Sequence, residues 1–183
     1  MKLKAILLLS SSFSLVPLVA TYAAVLPDAC GNEKVSFEIQ LQKNSPAPAA
    51  PEAGKAQVFF IEKSEKPPAI GCIGCSTVTR VGVDGAWVGA TKDNSYFNIS
   101  LDPGVHHLCA VLGKEVDAEP LSVEAGKTYY FQTEYKAVGK QYGTAEHPNY
   151  QVEKKVQFSM LNEDDGKYRV KVSALSIAIP KQR

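Results

Sequence analysis

The stretch GCIGCS, residues 71–76, sets Cys72 and Cys75 two residues apart, and HHLC ends on Cys109 directly after His106 and His107. Cys30, in DACG, completes the four cysteines of the chain. A C-x-x-C pair can close a disulfide, supply half of a zinc site or carry thiol exchange, and its context separates the three. Thiol exchange needs a thiolate stabilised at a helix N-terminus, whereas Cys72 lies in a Gly- and Pro-rich loop ahead of a hairpin. A zinc set would combine Cys72, Cys75, His107 and Cys109. On a strand, His107 and Cys109 would share one face while His106 points the other way, and the thiolates would have to survive export without oxidising. An even cysteine count in an oxidising compartment suits structural disulfides, and four cysteines permit three connectivities. The pairing chosen here is Cys72 with Cys75, pinning the loop, and Cys30 with Cys109, tying the N-terminal segment to a strand. That second bond would constrain the unfolded chain by about 3–5 kcal/mol through chain entropy. The metal or thiol-redox reading stands as the alternative.

Other side chains suggest contact rather than catalysis. In TVTRVGVDGAWVGAT two apolar runs flank Asp84-Gly85, the dipeptide favoured in a type I′ hairpin turn. That register sets Val83 opposite Ala86 and Val81 opposite Val88. Trp87 then stands on the other side of the sheet, opposite Gly82 and diagonal to Arg80. An aromatic face beside a cation can receive a glycan or a peptide, and equally it can be covered by the N-terminal strand or a second sheet. Tyr129 and Tyr130 join Trp87 and Arg80 as candidate contact residues. The chain carries no Gly-x-Ser-x-Gly elbow, no H-E-x-x-H and no phosphate-binding glycine loop. No catalytic residue and no cofactor are therefore assigned, and the chain is not read as an enzyme.

The first residues place these groups outside the cytoplasm. MKLKAILLLSSSFSLVPLVATYAA has a basic start at Lys2 and Lys4, an apolar stretch over 5–20 and small residues at Thr21 and Ala23. It reads as a secretory leader cleaved near Ala23 or Ala24. A membrane span needs about 20 mostly apolar residues, and this stretch is shorter and interrupted by Pro17. Pro27 and Asp28 in LPDAC argue against lipid attachment at Cys30. The expected location is therefore the periplasm or the exterior of a bacterial cell. Losing residues 1–23 removes two lysines and no acid, leaving 18 bases against 19 acids and a formal charge of −1. Such a balance excludes the clustered basic excess of a nucleic-acid or anionic-membrane binder. About 160 residues remain, enough for one domain with its own core.

Positioning falls to strands. EKVSFEIQLQK alternates Val35, Phe37, Ile39 and Leu41 against polar neighbours, as a half-buried strand does. NSPAPAAPEAG then forms an extended linker, so residues 24–54 divide from a body over 55–183. KAQVFFIEK opens that body as a β-branched and aromatic strand, and the hairpin, SYFNISL and VHHLCAVL follow. EPLSVEAGKTYYFQTEYKA adds two short strands, VGKQYGTAEHPNY reads as a loop, and QVEKKVQFSML returns to strand. NEDDGKYRVKVSAL is divided. Tyr168, Val170 and Val172 alternate like a strand, while Asn162 followed by three acids is a helix start. About seven short strands between Gly, Pro and Asp turns predict an all-β, antiparallel β-sandwich.

Three motifs in order, VGVDGAWVG (81–89), LDPGVHHL (101–108) and EAGKTYYF (124–131), extend this reading. They resemble bacterial exported proteins of the domain of unknown function 2846 family, which are similar to PEGA-type, prealbumin-like β-sandwich modules. The likeness runs from about Lys55 to Val172 and includes an acidic-Gly segment like NEDDGKY. The cysteine segments look like those of a secreted acidobacterial-type subgroup. The resemblance implies a sandwich with a short C-terminal helix, core positions at Leu108 and Tyr129, and no catalytic residues. The expected function is a non-catalytic exported module that binds or supports an envelope protein, peptidoglycan or another glycan.

Overall fold

A computed structural model describes residues 26–46, 48–63, 78–144 and 146–182. The expected leader and the Cys72–Cys75 loop lie outside the described residues. Ten strands and one helix are present among the described residues: β1 (Val35–Gln42), β2 (Ala56–Lys63), β3 (Thr79–Val83), β4 (Ala86–Thr91), β5 (Ser95–Leu101), β6 (Gly104–Leu112), β7 (Glu115–Val123), β8 (Thr128–Thr144), β9 (His147–Leu161), α1 (Glu163–Val172) and β10 (Ala174–Gln182). They form a six-stranded sheet in the order β1-β10-β5-β2-β8-β9 and a four-stranded sheet in the order β4-β3-β6-β7. The protein is an all-β sandwich, with one short helix among the described residues, placed late in the chain.

The middle of the larger sheet explains its sequence. Nearly every residue of β2 is buried, because the strand has neighbours in the sheet on both sides and cover on both faces. Ala56, Val58 and Phe60 face the smaller sheet and meet Val81, Leu108, Ala110, Phe131 and Phe158 in the main core. Phe59 and Ile61 face outward into a second cluster with Tyr96 and Tyr130. Phe97, Ile99 and Leu101 of β5 join the main core, as their alternation predicts. Two side chains stitch the layers along opposite seams. Asp117 of β7 accepts the Phe158 N–H of β9 at 2.7 Å, and the Ser176 hydroxyl of β10 donates to the Ala90 carbonyl of β4 at 2.7 Å.

Several expectations need correction. The larger sheet is mixed rather than antiparallel, since β2 pairs with β8 and β10 pairs with β5 in parallel. Parallel neighbours require a long crossover, and here the strands from β3 to β7 lie between β2 and β8. The Asp84-Gly85 turn has positive φ at both positions, 50° and 84°, as a type I′ turn requires. Val83 pairs with Ala86 and Gly82 with Trp87, but a bulge follows and Val81 pairs with Gly89 instead of Val88. The stretch expected to be a loop is strand, paired from Val138 opposite Glu153 to Thr144 opposite His147. The divided C-terminal segment resolves as helix. Asn162 caps it by accepting the Asp165 N–H at 2.9 Å, with Glu163, Asp164 and Asp165 in the first turn and Arg169 and Lys171 in the last.

Candidate functional site

The N-terminal segment crosses the outside of the smaller sheet, where a disulfide joins Cys30 to Cys109, with Cα atoms 5.2 Å apart. Both cysteines are buried, with Val111, Leu26, Ala29 and Trp87 packed around them. Trp87 is half-buried and donates its indole N–H to the Asn32 carbonyl at 2.7 Å. The Arg80 guanidinium lies 4.5 Å from the Trp87 ring centre and donates to the carbonyls of Glu33 and Val35 at 3.1 and 2.8 Å. Gly31 makes this approach feasible, because a Cβ there would come within 2.4 Å of the indole. Arg80 and Trp87 thus come together and hold the chain's own residues 31–35. Trp87→Ala should lower stability by about 2 kcal/mol, less than a fully buried Trp would cost, read as an earlier urea midpoint. An unchanged midpoint would mean that the indole stands free of this contact.

Disulfide formation leaves Cys109 without the thiolate that the Cys72, Cys75, His107, Cys109 metal set would need. Among the described residues no three His, Cys, Asp or Glu side chains are grouped to hold a metal ion. The histidines serve the hairpin turn instead. His106 Nδ1 lies 2.6 Å from Asp84 Oδ2 and its Nε2 lies 2.8 Å from the Asp102 carbonyl, while the His107 backbone N–H donates to Asp84 Oδ1 at 2.8 Å. Desolvation disfavours the charged imidazole of His106, but the Asp102 carbonyl and the Asp84 carboxylate outweigh it and hold its pKa above the ordinary value. Desolvation likewise pushes Asp84 up, and its bonds and charge contacts with His106 and His107 outweigh that and bring it below the usual carboxylate range.

Tyr129 and Tyr130 point to opposite faces, as neighbours on a strand must. Tyr129 packs on the main core, and its hydroxyl accepts the Glu124 N–H at 3.1 Å. Tyr130 lies on the outer face of the larger sheet, under α1. Gly166 permits that seating, since a Cβ there would meet the Tyr130 ring at 2.1 Å. Phe59 stacks on Tyr130 with ring centres 5.0 Å apart and lies 6.2 Å from Tyr96. These three rings floor a cleft of about 830 Å³. One wall is the Pro-Ala linker, with Pro46, Pro48 and Pro51, and the other is the last turn of α1. Its volume falls in the usual range for small-molecule sites, about 300–1,000 Å³. Burial raises the pKa of both Tyr96 and Tyr130, so their hydroxyls stay neutral across the physiological range.

Sequence reasoning reached Tyr130 but not the cleft. Phe59 looked like an ordinary strand residue, and the prolines looked like a spacer. The only advance signal was a Pro-rich segment too short to move far from the strands it joins. A different polar group lies between the two sheets. Glu62, at the end of β2, is 9% exposed, and its Oε2 has no hydrogen-bond partner. Burial lifts its carboxyl to about 7, against the opposing influence of the nearby Thr91 and Thr79 hydroxyls. Comparison with family models, with curated proteins and with solved structures finds no match to this chain.

Proposed function

We propose that the protein is an exported, non-catalytic β-sandwich module of the bacterial cell envelope, and that it works by binding. The observation that carries this reading is the cleft, where three aromatic rings lie at the base of a walled space of about 830 Å³. Rings in a concave, mostly apolar site with a few polar groups favour retention of a small ligand. The Cys30–Cys109 bond supports export, since disulfides persist in oxidising compartments. The leader-like start and the resemblance to exported sandwich modules point the same way.

Mass spectrometry of the protein recovered from its own envelope fraction tests both halves of the proposal. Denaturing conditions should give a chain beginning after Ala23 or Ala24. Native conditions should add a small-molecule mass that is lost on denaturation. A full-length mass in the cytosolic fraction would overturn export. A bare native mass, with no retained ligand, would overturn binding in the cleft. The metal or thiol-active alternative predicts alkylatable thiols in the same sample.

A further inference from the structure

We infer that the cleft takes a small amphipathic anion, its apolar or aromatic body on Phe59, Tyr96 and Tyr130 and its acidic group at the Lys43 and Lys171 rim. This assignment rests on the proposed binding role of the cleft and names its ligand class. Charge is the first argument. Among the described residues Lys43, Lys167 and Lys171 line the cleft and no aspartate or glutamate does, in a chain whose formal charge is close to zero. Lys167 is already engaged, 2.6 Å from Glu163 one helical turn away. Lys43 and Lys171 are exposed and form no ion pair among the described residues, so their charge is available to a ligand.

Gln57 is the second argument. It is 7% exposed, sits on the outer face of β2 two residues from Phe59, and lines the cleft. None of the described residues hydrogen-bonds its side-chain amide. The amide is not a fully buried unpaired group, so it meets solvent through the cleft, and a ligand that displaces that water must supply a partner of its own. Its placement at the cleft answers to a ligand carrying a polar atom as well as an apolar body. An all-hydrocarbon ligand would leave the Gln57 amide unsatisfied, and a wholly polar one would waste the aromatic floor. A cation would face two lysines and no acid.

Titration calorimetry of the mature chain at low salt decides this, with three probes: dodecanoate, 2-naphthoate and dodecyltrimethylammonium, each below its aggregation limit. At least one of the two acids should bind at one per chain, and the cation should not. The acid that binds more tightly identifies an alkyl or an aryl body. The double substitution Lys43→Glu with Lys171→Glu should weaken acid binding at least ~10-fold, about 1.4 kcal/mol, through removal and reversal of two charges. Both positions are exposed, so thermal unfolding of this variant should stay close to the parent, lowered only by the small cost of an acid in the last turn of α1. Equal binding of dodecanoate and the cation, or acid binding unchanged in the double variant, would overturn the anion assignment and leave the cleft as a binding site. Failure of all three probes would overturn the anion assignment, while the binding role is decided separately by the native mass of the recovered protein.

Discussion

Replacing Cys30 and Cys109 together by alanine is expected to cost about 4 kcal/mol of stability, a large part of what a domain of this size holds. The two cysteines are 79 residues apart in sequence, so the bond closes a long loop and removes much conformational freedom from the unfolded chain. The native state loses as well. Residues 26–35 cross the smaller sheet through the disulfide, the Trp87 indole bond and the two Arg80 bonds, and the covalent link is the strongest of the three. The chain contains one tryptophan, so its fluorescence reports on that crossing without interference. The double variant should melt well below the parent, and Trp87 emission should shift to the red before global unfolding as the segment lifts away. A variant that melts with the parent would show that the segment is held without the bond. Reducing agent should reproduce the effect in the parent and leave the variant unmoved in this respect.

The second large effect concerns Glu62 and has an opposite sense to most carboxylates. Its pKa rises from an ordinary 4.5 in the unfolded chain to about 7 in the fold. Between those values the folded protein holds a proton that the unfolded chain has released, so stability falls as pH rises. The loss begins near pH 4.5, is complete above about 7, and amounts to about 3 kcal/mol at 1.36 kcal/mol per unit. Burial is its main cause, and the nearby Asp93 charge adds to it. Glu62→Gln keeps the shape and removes the charge. It should flatten the curve between pH 5 and 8 and raise stability by up to about 3 kcal/mol at pH 8, measured by urea unfolding. His106 also contributes stability that is lost as pH rises, through its elevated pKa, but it contributes equally to parent and variant. Their difference therefore isolates Glu62. Parallel curves for the two proteins would mean that water reaches the carboxylate.

Legibility from sequence followed the range of the interactions. Val35–Gln42, Ala56–Lys63 and the Asp84-Gly85 hairpin were readable because period-two burial and turn chemistry are local properties. The helix after Asn162 carried its own cap and charges, and those local signals prevailed over the strand-like spacing of Tyr168, Val170 and Val172. The distal part of β8 and β9 was not readable. Gly139, Gly143 and Pro148 look like loop residues, and only the cross-strand partner identifies them as strand. Ala174–Gln182 was missed for a related reason, since its start runs on from a helix and its partners lie in β1 and β5. Position 88 depended on a bulge, which a two-residue turn does not announce. Trp87 was placed on the correct side opposite Gly82, yet its cover comes from residues before β1, which alternation cannot foretell. The cleft was the least readable feature. Its floor and its two walls are contributed by β2, β5, β8, the linker and α1, and no single stretch contains enough of it to be recognised.

The pairing of β1 with β10 sets Val35 against Gln182 and Leu41 against Ser176, so the edge of the larger sheet is assembled from the first and last of the described strands. An incomplete chain cannot form that edge. Until β10 is available, Phe37 and Ile39 have no strand to lie against, and a β-rich intermediate with an open edge is the kind of species that associates with its own copies. Synthesis order therefore works against early closure: the first strand made is the one that must wait longest. A protein wired in this way benefits from being kept extended until β10 has been made.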